Sequence, residues 1–353
     1  MEGKYIYGII IASNETAWDI SMLGSSSPVY TIAYQDLGCV VSDYSGAEFG
    51  SMSKQEVIQR LLAHQMVVEH VMKEHTVLPV KFGTVLATPD EVRDLLSQGH
   101  SQFVDALAWI QDKVEIEVAA TWNTEQVLRE ISTEKEIVRT REAIASRPGH
   151  QPLEQRIHLG QMVKASMDRR RDSYRERMIS FLEPVAIDVL PNVLVSDEMV
   201  MNVAFLVEKA NQEEFDSRVR QLNDLFHNQI DFRVIGPLPP YSFATVEITR
   251  PIPEKIEEAR QLLHLGEVIS EPEVRKAYRH LAAETHPDCN PGDETAKARF
   301  AALRQASDLL IAYCRGQAEL GGSLLINIRR SKDEEVRHLR FAQIGSVAGA
   351  ADG

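Results

Sequence analysis

The sharpest chemical signal in the chain is the tripeptide His286, Pro287 and Asp288. Pro287 disfavours helical geometry at His286, and Pro291 with Gly292 behind it is a turn-forming pair. The three residues are therefore expected to form a corner at the tip of two antiparallel helices. Other chemistry-bearing residues are scattered. The cysteines Cys39, Cys289 and Cys314 are few, odd in number and far apart, which excludes a disulfide scaffold or a Cys-based zinc site and suits a reducing cytoplasm. Cys289, beside the corner, is read as a spectator thiol. His64, His70 and His75 share a helix at spacings of six and five, not the four that sets two ligands on one face. They are read as solvated helix surface. Arg169, Arg170 and Arg171, with Arg175 and Arg177, resemble a nucleic-acid patch. Asp168, Asp172 and Glu176 interleave them, however, and residues 153–183 net only +2, so a salt-bridged helix face is the better reading. No glycine-rich phosphate loop, G-x-S-x-G elbow or H-E-x-x-H occurs. The expectation is a protein without catalytic residues, cofactor or metal.

Composition agrees with that reading. The chain has 353 residues, 44% hydrophobic and 25% charged, which is the ordinary globular range and room for two or three domains. Its net charge of −14 is spread along the chain: −8 over residues 1–112, −4 over 113–250, −3 over 251–320 and +1 in the tail. That excludes a broad nucleic-acid or anionic-membrane binder. No apolar run approaches the roughly 20 residues of a membrane helix, and residues 6–12 read as a strand rather than a signal peptide.

The elements that must position these residues fall into four stretches. Residues 1–112 read as an α+β domain. Strands are expected at 4–12, 29–34 and 38–43 from their β-branched and aromatic content. A helix opens at the capping box Ser53/Glu56, with Val57, Leu61, Val68 and Val71 on one stripe. An extended piece at 77–83 holds Pro79; with Lys81 and Phe82 it is either a partner-binding edge or a packed strand end. A second helix opens at Thr88, Pro89 and Glu91, breaks at Gly99 and resumes over 101–113. Residues 113–250 give strand (114–122), helices (124–145 and 153–182), strands (185–195 and 200–208), helix (212–228) and strands (231–235 and 242–249). That order is the split β-α-β pattern of a ferredoxin-like domain with an enlarged first connection. Pro251 and Pro253 mark a boundary. Residues 254–265 form a helix ended by Gly266. Ser270 and Glu273 open a second, running to Thr285, with Ala277, Tyr278 and Leu281 inward. A third covers 293–314, with Phe300, Leu303, Ala306 and Leu310 inward. The tail, 316–353, includes 324–328, read as a frayed terminus. Trp18, Trp109 and Trp122 are assigned to cores.

Residues 254–315 resemble a J-domain, the module with which DnaJ-type co-chaperones stimulate DnaK-type ATPases. The resemblance rests on Lys276-Ala277-Tyr278-Arg279, Leu281-Ala282, His286-Pro287-Asp288 and, in the next helix, Phe300, Leu303 and Ala306. It implies that Asp288 and the basic residues Arg275, Lys276 and Arg279 face a DnaK-type chaperone, the carboxylate pairing with a partner arginine and the basic face steering encounter. The chain departs from the pattern at Ala283, Glu284, Thr285 and Cys289, where many J-domains are basic, and at Ser307, where tyrosine is common. No Gly/Phe-rich linker or zinc-binding region follows.

Residues 4–250 are similar to the gas vesicle protein family GvpL/GvpF. The matching pieces are Lys4-Tyr5-Ile6-Tyr7-Gly8-Ile9, Leu37-Gly38-Cys39-Val40-Val41-Ser42, the helix holding His64, Val67, Val68 and Glu69, and Val77-Leu78-Pro79-Val80-Lys81-Phe82-Gly83-Thr84. The resemblance implies two α+β domains, the second ferredoxin-like, and a cytoplasmic or gas-vesicle-associated accessory role. It further implies binding of the small hydrophobic shell protein and contact with other gas vesicle accessory proteins. An appended J-domain would recruit a chaperone to the same client. The alternative is a general J-domain co-chaperone whose first 250 residues select an unrelated client.

Overall fold

In the computed structural model the chain is a mixed helix-and-sheet protein, described at residues 2–18, 20, 28–47, 49–145, 153–226, 229–250, 252–266, 268–285, 295–318 and 324–330. Contacts divide it into two compact units. One comprises Met1–Gln111 with Ala244–Arg329, the other Asp112–Phe243.

The first unit begins with β1 (Glu2–Ile11), β2 (Ala17–Trp18), β3 (Val29–Tyr34), β4 (Leu37–Ser45), α1 (Lys54–Val71), β5 (Val77–Pro79), β6 (Val85–Leu86), α2 (Pro89–Gln98) and α3 (His100–Ile110). Its sheet runs β2-β3-β4-β1-β5, with β6 also on β1 and every pair antiparallel. β1 is buried from Tyr5 to Ile10 because both faces are covered. A bulge between Ile6 and Gly8 shifts the alternation by one. Ile6 and Ile9 thereby reach the same core as Leu95, Leu96, Phe103 and Leu107 of α2 and α3. Tyr5 faces the other way, onto α1. The capping boxes expected of the helices form in part. Ser53 and Glu56 make both bonds of theirs. Thr88 accepts from the Glu91 N–H, but the Glu91 carboxylate takes its proton donors from Ala87 and Arg250.

The apolar stripe expected on α1 is only half buried. Val67, Val68 and Val71 are covered, whereas Leu61, with Ile58 and Leu62, lies exposed on the helix's first turns. Periodicity finds the stripe; it does not say where along the helix the sheet ends.

The second unit holds β7 (Lys113–Trp122), α4 (Thr124–Ile131), α5 (Lys135–Ala145), α6 (Leu153–Leu182), β8 (Asp188–Pro191), β9 (Met199–Glu208), α7 (Gln212–Leu225) and β10 (Ile230–Leu238). Its antiparallel sheet has the order β10-β7-β9-β8. Val114, Ile116, Val118, Val203 and Phe205 line a core closed by Ile131, Met178, Leu182, Phe215 and Leu222 from the helices. β8 is far shorter than the expected 185–195, because Pro184 and a 3-10 turn occupy its start.

The remaining elements are β11 (Ala244–Thr249), α8 (Pro253–Leu262), α9 (Glu271–Thr285), α10 (Ala296–Ala318) and β12 (Leu325–Arg330). Two expectations are corrected here. The strand predicted to close the middle region does not enter that sheet; β11 pairs with β12 and bridges Val80 through Val246. The tail segment is not frayed: Leu324, Leu325 and Ile326 are buried. Neither pairing leaves a local mark in sequence, since strands 80 residues apart meet only in the folded chain.

Candidate functional site

The helical module is built from α8, α9 and α10 around Ile256, Leu263, Val274, Tyr278, Leu303, Ala306 and Leu310. α8 ends earlier than expected, and not at Gly266. The Leu265 N–H donates to the Arg260 carbonyl and the His264 N–H to that of Gln261, with His264 at φ +54. That is a Schellman ending with histidine in the left-handed position. At the start of α9 the Glu273 carboxylate accepts from both the Ser270 N–H (3.0 Å) and its hydroxyl (2.7 Å). Val274 and Tyr278 are buried, while Ala277, Leu281 and Phe300 are half-buried.

This packing decides what α9 shows to solvent. Arg275, Lys276 and Arg279 stand exposed, spaced so that they share the side away from Val274 and Tyr278. Glu271 holds Arg275 at 2.8 Å, and the Arg279 Nε donates to the Arg275 carbonyl. The face is thus basic but partly neutralised at its N-terminal end. α9 runs to Thr285, the residue before the tripeptide. His286, Pro287, Asp288 and Cys289 lie outside the described residues. A charge the sequence reading missed lies on α10. Arg304 is buried, with its Nε 3.8 Å from Asp308, and Ser307 beside it is buried too.

A second cluster gathers pieces from the similarity described above. Tyr5, Tyr7, Tyr44, Phe49, His64 and Phe82 form a continuous aromatic group with ring centroids about 5–6 Å apart. The Tyr5 hydroxyl accepts from the Gly83 N–H (3.3 Å) and lies 2.9 Å from His64 Nδ1. Burial drives the His64 pKa down from 6.5 to about 4 and raises that of Tyr5. The Arg60 guanidinium sits 5.2 Å from the Tyr44 ring centre. The expectation of a solvated His64 is thereby corrected: it is 2% exposed. Five polar side chains earlier on the same helix, Lys54, Gln55, Glu56, Gln59 and Arg60, disguised its inward position.

Around it, Val80 N–H donates to the Tyr7 carbonyl and Ile6 N–H to that of Thr84, stitching 77–84 along β1. Pro79 and Phe82 belong to a packed strand end, and Lys81 reaches Glu247 at 2.9 Å. The cluster has the makings of a structural knot. Among the described residues no three His, Cys, Asp or Glu side chains converge to hold a metal, and no helix is long and apolar enough to cross a membrane.

Four of the five clustered arginines of α6 are engaged. Arg170 pairs with Glu130 (2.7 Å) and Glu134 (3.1 Å), Arg171 with Asp168, and Arg175 with Asp172. Arg171 and Arg177 stack over Trp122 and Phe226.

A family model described as gas vesicle synthesis protein GvpL/GvpF matches residues 3–245, and a DnaJ domain model matches 260–313. Gas vesicle protein F of a Streptomyces species is 28% identical over 239 residues, covering 68% of this chain and 98% of that protein. The crystal structure of the gas vesicle protein GvpF from an Anabaena species superposes with a TM-score of 0.60 at 21% identity, covering 69% of this chain and 98% of that one. That of GvpF from Microcystis aeruginosa gives 0.55 at 23% identity, covering 68% and 98%. At such identity the two structures speak for the fold alone. With the family model running through most of its length, the chain belongs to the GvpL/GvpF family of gas vesicle synthesis proteins and carries a DnaJ domain behind the family span.

Proposed function

We propose that this protein is a non-catalytic accessory factor of gas vesicle assembly, acting in the cytoplasm and at the growing vesicle. It binds the hydrophobic shell protein, limits its aggregation and brings a DnaK-type chaperone to it. The observation that carries the reading is the joining, in one chain, of a GvpL/GvpF match over residues 3–245 and a DnaJ match over 260–313. A shell subunit must expose apolar surface in order to assemble, and such surface aggregates unless it is covered. In this reading His286, Pro287 and Asp288 form the chaperone-docking corner, and Arg275, Lys276 and Arg279 steer the approach. Other gas vesicle accessory proteins are partners in the same assembly. The domain division at 1–112, 113–250 and 254–315 goes with this reading, with Ala244–Thr249 counted with the first domain, where the strand pairs. So does a ferredoxin-like middle domain, supported by the strand order β10-β7-β9-β8 with one helical connection after β7 and one after β9.

The test uses the full chain and its His286→Gln variant. Both should retain the shell protein in co-purification, and only the unsubstituted chain should accelerate a DnaK-type ATPase. Equal ATPase rates would remove the chaperone role. Recovery of a mixed set of cytoplasmic clients without the shell protein would favour a general co-chaperone instead.

A further inference from the structure

Both matched spans stop short of β12, and the first stops near the start of β11. The two strands nevertheless pair with each other as a two-stranded sheet of the first unit. β12 alternates as a strand must, successive side chains pointing to opposite faces. Leu324 and Ile326 enter the core that holds Ile6, Leu95 and Phe103, while Leu325 enters the core of the helical module with Leu303 and Leu310. Ile326 Cδ1 reaches to within 3.0 Å of where a side chain on Gly99 would begin, so it packs directly over the α2–α3 junction. β11, its partner, is tied to the sheet in turn. The Lys81 N–H donates to the Val246 carbonyl (2.9 Å), Lys81 pairs with Glu247, and Arg250 grips Glu91 with 2.8 and 2.9 Å contacts.

We infer that β12 is a tie that makes the helical module and the N-terminal sheet one cooperative unit, in place of a J-domain on a free tether. A tethered module would bury its apolar residues within itself. Here one short strand contributes to two cores at once, and the chain passes from sheet to helices to sheet again. The module's basic face is therefore carried at a set bearing to the N-terminal sheet. This inference stands whether or not the chaperone reading does.

Amide hydrogen exchange on the full chain tests it with two reciprocal substitutions. Ile326→Ala removes contacts only from the N-terminal core, yet exchange in α9 and α10 should rise at least tenfold. Leu325→Ala removes contacts only from the module core, yet exchange in β5, α2 and α3 should rise similarly. β7 and β9, in the other unit, should be unchanged. Ile326→Val, a gentler change, should give the first pattern at smaller amplitude. Increases confined to whichever core lost its methyl groups would overturn the inference. So would an equal increase in β7 and β9, which would mean whole-chain unfolding.

Discussion

Acid should loosen the first unit through His64, and by an amount set by its burial. The ring is 2% exposed, its Nδ1 lies 2.9 Å from the Tyr5 hydroxyl, and its pKa lies at about 4 against an ordinary 6.5. Between those values the unfolded chain binds a proton that the folded chain refuses, so stability falls as pH falls. The neutral ring's contribution is fully present above 6.5 and is lost on the way down to about 4. The whole loss is about 3 kcal/mol, of which about 2.5 kcal/mol is already gone near pH 4.5. In the protonated ring Nδ1 is a donor, so the Tyr5 hydroxyl must hold its own proton away while still accepting from Gly83.

Urea unfolding read by tryptophan fluorescence measures the effect. Trp18 and Trp109 report on the first unit, and a Trp122→Phe background silences the probe in the second. In that background the chain and its His64→Leu variant are compared near pH 7.5 and pH 4.5. Carboxylate titration affects both alike and cancels. The stability difference between them should shift by about 2.5 kcal/mol toward the variant at the lower pH. A difference that stays constant to within about 0.5 kcal/mol would refute the reasoning, because it would mean that His64 takes up its proton equally well folded and unfolded.

Two glycines of the same region should rank in a definite order. Gly83→Ala meets only the Phe49 ring at an ordinary 3.5 Å, so its cost is the backbone strain at φ +86, about 1 kcal/mol. Gly8→Ala would set a carbon 2.6 Å from Val77 Cγ1 and 3.1 Å from the Leu78 carbonyl oxygen, costing about 1–3 kcal/mol by overpacking; the same urea assay checks the order, and a costlier Gly83→Ala would reverse it. Replacing Arg275, Lys276 and Arg279 by alanine should slow association with a DnaK-type chaperone about tenfold at low salt, with the gap closing at high salt. The urea midpoint should barely move, because all three side chains are exposed; stopped-flow fluorescence at two ionic strengths reads the rates.

Much of this molecule is legible one residue at a time. Ser53 with Glu56, Thr88 with Pro89, and Ser270 with Glu273 announce helix starts because capping bonds span three residues and need no distant partner. The alternation at Val114, Ile116 and Val118 announces β7, and helical spacing announces α7, because side-chain period is a local property of the backbone. The basic face of α9 follows from the same arithmetic once Val274 and Tyr278 turn inward.

What the tertiary structure decided involves partners far apart in the chain. His64 reads as surface until Tyr5, 59 positions earlier, is brought to its ring nitrogen. Leu61 reads as core until the sheet stops short of it. β11 reads as the last strand of the middle domain and 324–328 as a loose end. They become a ladder tied to β5 because the chain returns to the first unit after leaving it. Hydrophobic patterning specifies that a strand must be covered, and by how much apolar surface. Which element covers it depends on loop closure and on competition among all the faces the chain can offer, a choice made only when the whole chain is folded.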